Sequence, residues 1–207
     1  MIIEARVGPA SLQDGVLREP RSAKTGELVT SDVHGKYYEA VSRGGVYFLA
    51  AGAQTPTAYA GAAGGTPLIA IHNPTGSGKN LSLLAVSIAN RAAASAAGVV
   101  SFTIDGGPSA LPTGTTTLPT NMLSLVSGGA VAKGFVNVAL TGSTALVQIL
   151  SPFTYYWPAA AALMAAGYID IAGAIIVIPG NQIAIGATAA LTSATWDVTM
   201  IWEEVQA

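Results

Sequence analysis

Between Gly44 and Trp202 the chain carries only six ionised side chains: Lys79, Arg91, Asp105, Lys133, Asp170 and Asp197. No other feature restricts the fold as much. A solvated domain normally scatters many more ions over its surface. This stretch must therefore be surfaced by glycine, alanine, serine and threonine, and part of it is expected to be covered by further protein. Of the 9 basic and 11 acidic residues, twelve fall in residues 1–43, and Glu203 and Glu204 close the chain's charge. In that first segment Asp14-Gly15, Arg18-Glu19-Pro20 and Lys24-Thr25-Gly26-Glu27 are turn signals without sustained periodicity. The expected organisation is an extended N-terminal arm over 1–43, either mobile or ordered along a neighbour, and a body over 44–207.

The body reads as short strands between turns. Leu84, Val86 and Ile88 alternate with small residues, as do Val100, Phe102 and Ile104, and Val136, Val138 and Leu140. Ala145–Leu150, Ile175–Ile178 and Gln182–Ile185 are further short runs, while Trp196, Val198, Met200 and Trp202 share one face of a last strand. With Gly44–Ala50 and Pro67–Ile71 this gives about eight strands, the pattern of an all-β, jelly-roll-like sandwich. Asn90–Ala97 and Pro158–Ala166 read as short alanine-rich helical inserts, the second with proline at its start and Gly167 placed as a cap. Lys36–Val41 reads as a short strand, and 51–66 and 106–121 as long loops.

The net charge of −2 leaves no basic excess for nucleic acid. With no cysteine, neither a disulfide framework nor a thiolate metal site is available. Trp157–Ile178 has the length of a membrane span, but Pro158, Gly167 and Asp170 interrupt it and its later part is β-branched, which favours a buried hairpin. Asn73-Pro74-Thr75-Gly76-Ser77-Gly78-Lys79-Asn80 imitates a phosphate loop, yet both its ends fail the pattern and an alternating strand follows where a helix is required. It reads as a turn. His34 and His72 are the only histidines; no nucleophile elbow, closed zinc set or calcium loop accompanies them. His72 reads as a structural residue at a strand end, within reach of Asp105 or Asp170. Glu203 and Glu204 are adjacent and point to opposite faces of a strand, which makes them a poor glycosidase pair and a reasonable solvated or salt-bridging end.

Two phrases carry a resemblance. Asn73-Pro74-Thr75-Gly76-Ser77-Gly78-Lys79 leads into Leu81–Ile88, and Ile175–Asn181 leads through Ile183-Ala184-Ile185 to Trp196–Trp202 and Glu203-Glu204-Val205. Together they resemble virion structural proteins of tailed bacteriophages, in particular jelly-roll capsid decoration (cement) proteins, over about residues 34–207. The resemblance implies a homotrimer on the capsid exterior that clamps neighbouring subunits of the major capsid protein, with no catalytic residue and no cofactor. The alanine-rich inserts depart from that pattern. Arg18, Arg21, Lys36, Tyr37, Tyr38 and Arg43 are the arm residues expected to grip the capsid, since arginine and tyrosine are enriched at binding hot spots. The residues also admit a binding module of a phage tail or head fibre that recognises a receptor or glycan. In that reading Tyr155, Tyr156 and Trp157 stack on the ligand, against packing in a core or interface.

Overall fold

The structure, a computed structural model, describes residues 35–55, 66–92, 98–105, 115–139, 146–148, 155–157, 166–187 and 195–207. The chain divides into two compact units, Met1–Glu39 and Ala40–Ala207. One helical turn, α1 (Tyr38–Ser42), stands where a strand was expected. Glu39 in its first turn suits the positive end of the helix dipole. Gly44, at φ 71°, supplies the left-handed residue that ends it, its N–H donating to the Val41 carbonyl at 2.9 Å.

The described strands are β1 (Val46–Gln54), β2 (Ile69–His72), β3 (Lys79–Ala92), β4 (Gly98–Asp105), β5 (Thr120–Asn121), β6 (Lys133–Val136), β7 (Leu146–Gln148), β8 (Tyr155–Trp157), β9 (Ala166–Val177), β10 (Gln182–Ala187) and β11 (Thr195–Gln206). They form two antiparallel sheets, one ordered β5-β1-β11-β3-β9 and the other β6-β2-β10-β4-β7, with β8 also pairing β4. β7 pairs with Thr103–Asp105 and β8 with Gly98–Val100, so the two succeed each other along one side of β4. The protein is an all-β sandwich, as the alternation predicted. From β1 to β6, and again from β8 to β11, each connection leaves one sheet and enters the other.

The core lies between the sheets. Leu49, Leu83, Val86, Ile88, Val198 and Met200 of the first sheet meet Ile69, Ile71, Ile183 and Ile185 of the second. Alternation in β11 is complete, with Trp196, Val198, Met200 and Trp202 all buried on one face. Trp202 stacks on Tyr47 with ring centroids 6.4 Å apart.

β3 keeps its expected phase at Val86 and Ile88 but departs from it before them. Trp202 pairs with Leu83 and Ile201 with Ala85, so Leu84 is an extra residue in a bulge. Leu81 and Leu83 face the core before it, and Val86 and Ile88 after it. On the other side β9 loops four residues out between the partners of Ala85 and Leu83, with Ala172 and Gly173 both at positive φ.

Other boundaries move for local reasons. β3 runs through Asn90–Ala92, because those residues pair with β11, so no helix begins at Asn90; 93–97 lie outside the described residues. Ala166 opens β9, and the rest of the expected helix at 158–165 also lies outside them. The strand expected at 136–140 is instead β6 at 133–136, since Asn137 takes φ 51° and turns the chain out of the ladder. The buried hairpin expected within Trp157–Ile178 is not formed among the described residues, since β8, which ends at Trp157, and β9 belong to different sheets. The regions expected as loops are partly strand: Ala51–Gln54 complete β1 and Thr120–Asn121 form β5.

Gly134 in β6 permits a close approach. A Cβ there would lie 2.6 Å from the Thr117 carbonyl oxygen and 2.7 Å from Leu49 Cδ2. Backbone on one side and a core side chain on the other leave it nowhere to go. Gly134→Ala is expected to lower unfolding stability by about 1–3 kcal/mol through overpacking. An unchanged denaturant midpoint would contradict that packing.

Candidate functional site

The phosphate-loop imitation is the β2–β3 crossover, and its first residue does the fastening. Asn73 is fully buried. Its side-chain amide donates to the Lys79 carbonyl at 2.7 Å and to the Val177 carbonyl at 2.9 Å. Its Oδ1 accepts from the Ser77 hydroxyl at 2.6 Å. Its main chain donates to Asn181 O at 2.9 Å and accepts from Gly180 N at 2.7 Å. One asparagine thus joins the start of β3, the end of β9 and the turn entering β10. Gly76 and Gly78, at φ 76° and 68°, let the crossover double back. The site fastens sheets; its amides are arranged for the chain itself.

A second buried polar group acts nearby. Glu204 continues the inward face of β11, and its carboxylate is wholly covered. Oε1 accepts from the N–H groups of Val131 at 2.8 Å and Ala132 at 3.1 Å, while Oε2 pairs with Lys79 Nζ at 3.3 Å. Tyr47 adds a hydroxyl donated to the Gly129 carbonyl at 3.3 Å. These contacts hold the segment between β5 and β6. Glu203 and Glu204 do face opposite ways, and the one expected at a solvated or salt-bridging end is a buried, ion-paired anchor.

The register sets the starts of β1 and β3 beside the ends of β9 and β11, since Val46 pairs with Glu203, Lys79 with Gln206 and Leu81 with Val177. Exposed apolar side chains gather toward that end. Leu118, Leu123, Leu125 and Val126 lie on the β5 edge of the first sheet, and Ile176 and Ile178 on its β9 edge. The β5 group is held out by construction. Asn121 Oδ1 accepts from the N–H groups of Leu123 at 3.0 Å and Ser124 at 3.1 Å, and its amide donates to Gly44 O at 2.7 Å. Within this turn Leu125 sits at φ 56° and is 72% exposed. A bulky residue in the left-handed region is strained, and such strain collects where surfaces work.

The sequence-picked residues fare unevenly. Arg18 and Arg21 lie outside the described residues. Lys36 Nζ stands 5.1 Å from the Tyr37 ring centroid, in cation–π reach. Tyr38 opens α1 and Arg43 follows its end. Tyr155, Tyr156 and Trp157 form β8 in the second sheet. His72 is buried in β2, and the ladder places Gln182 between it and Asp105. Among the described residues no group of three His, Asp or Glu side chains is placed to hold a metal ion, and no helix is long and apolar enough to cross a membrane. No protein-family model matches the chain, and neither does any curated protein or solved structure.

Asn73→Ala removes the side-chain donor to the Val177 carbonyl and one of two donors to the Lys79 carbonyl, which keeps the Ser77 hydroxyl at 3.1 Å. It is expected to cost about 1–3 kcal/mol in urea unfolding. Asn73→Asp should cost more, because it sets a buried negative charge against both carbonyl oxygens. Equal stability of all three proteins would show that the sheets are not fastened there.

Proposed function

We propose that this protein is a non-enzymatic phage capsid decoration (cement) protein, a homotrimer that clamps neighbouring subunits of the major capsid protein on the virion exterior. The observation that carries the reading is Leu125, a strained and solvent-facing leucine presented on a purpose-built turn in a body almost without surface charge. Its group and the Ile176/Ile178 group occupy opposite edges of one sheet. Two different apolar patches on opposite edges suit head-to-tail contacts, which form a ring when the rotation closes.

The strand order supports the reading. With β5 and β6 set aside, the first sheet runs β1-β11-β3-β9 and the second β2-β10-β4 followed by β7 and β8. That order suits the interleaved double Greek key of a jelly roll, the architecture the family resemblance implies. In this assembly the body meets copies of itself, and residues 1–43, with Arg18, Arg21, Lys36, Tyr37, Tyr38 and Arg43, grip the shell.

Sedimentation should show a trimer, and Leu125→Asp should shift it toward monomer without loss of β-sheet circular dichroism. Cosedimentation with shells of the major capsid protein should be strong for the full chain and weak for a chain lacking residues 1–43. A wild-type monomer, or undiminished shell binding after truncation, counts against the assembly.

A further inference from the structure

The outer face of the first sheet holds an open concavity of about 300 Å³ toward the opposite end of the sandwich. Val86 and Ile88 point into the core, so Ser87 and Ala89 of β3 point outward and form its floor. Thr199 and Asp197 of β11 stand on one side, paired respectively with Ser87 and Ala89. Tyr168 of β9, paired with Ser87, stands on the other side and is 64% exposed. Asp197 is held in place: Oδ1 accepts from Ala53 N at 2.8 Å, and Oδ2 from Arg91 Nε at 3.1 Å. Ala53 itself takes φ 52°, so the backbone bends to reach that carboxylate.

We infer that this trough binds a neutral hexose unit of a glycan chain. The chemistry is matched part by part. An exposed tyrosine ring offers an apolar face to the C–H face of a pyranose and keeps its hydroxyl in water. Ser87 and Thr199 each supply a hydroxyl that donates and accepts, as a vicinal diol requires. A carboxylate holding two N–H donors still has lone pairs for a sugar hydroxyl, and Arg91 retains further N–H groups beside it. The floor of small side chains leaves room for a ring laid flat. Arg91 offsets Asp197, so the trough carries no net positive charge to select an acidic sugar. The site is distinct from Tyr155–Trp157, which belong to the other sheet, and it does not depend on the proposed assembly.

The test is affinity electrophoresis of the full chain through gels containing dextran, mannan, galactan or laminarin, with alginate as the acidic comparison. Retardation by at least one neutral polymer is expected. Tyr168→Ala should weaken it by between about twofold and tenfold, the loss that removing a stacking contact of this kind produces, and Thr199→Val should weaken it to a smaller degree. Both side chains project to solvent, so melting temperatures should stay near wild type. Retardation by none of the neutral polymers, retardation by alginate alone, or retardation indifferent to Tyr168→Ala each overturns the assignment. Because sedimentation reads assembly separately, a failure here leaves the trimer question untouched.

Discussion

A chain that crosses between two sheets at almost every connection must carry its backbone out of one ladder and into another without stranding polar groups. That constraint governs this fold. At the described end of the sandwich Asn73 meets it for two crossings at once, since its single amide serves carbonyls of β3 and β9 while its main chain serves the turn into β10. Glu204 meets it for a third stretch by accepting two adjacent backbone N–H groups between β5 and β6. Both groups are buried, so each would be costly without its partners, and each therefore specifies one arrangement of the turns around it.

Alternation made much of this fold legible. In β11 every second residue from Trp196 to Glu204 is buried, and the tryptophans and methionine announced the inner face without ambiguity. β3 was legible in existence and in phase from Val86 onward but not before it, because a bulge at Leu84 exchanges the faces and no residue type marks it. Ala172 hid a second irregularity in the same way, since alanine at φ 56° gives no sign of a left-handed turn. Asn90–Ala92 and Ala166 read as helix because of the alanine around them, and at these described positions sheet pairing overrode that preference.

The candidate surfaces were less legible than the fold. Asn73 attracted notice as part of a nucleotide-like phrase, yet its role depends on carbonyls six and 104 positions away. Nothing in Leu118–Val126 distinguishes an exposed leucine from a core one, as both are leucines in a Pro/Gly/Thr-rich connection. Tyr168 was absorbed into an apolar run, and its exposure follows only from the register that sets Ser87 beside it. Such residues are picked out by their partners across the sheet, which local spacing does not encode.

The scarcity of charge now has a more specific meaning. Lys79 pairs with the wholly covered Glu204 and Arg91 with Asp197 at the surface, so four of the ions from Lys79 onward are matched with one another. The Lys79–Glu204 pair, partly shielded, is less screened by salt than the exposed Arg91–Asp197 pair. This places the apolar edges and the trough in different positions on one sheet. Along β3, Ser82 faces Ile176 and Ser87 faces Tyr168, a separation of roughly 15 Å at the usual rise per residue. Contacts made at the turn end of the edges can therefore leave the Tyr168 end open to a ligand. A single sheet face can then join copies of the protein at one end and meet a second kind of molecule at the other.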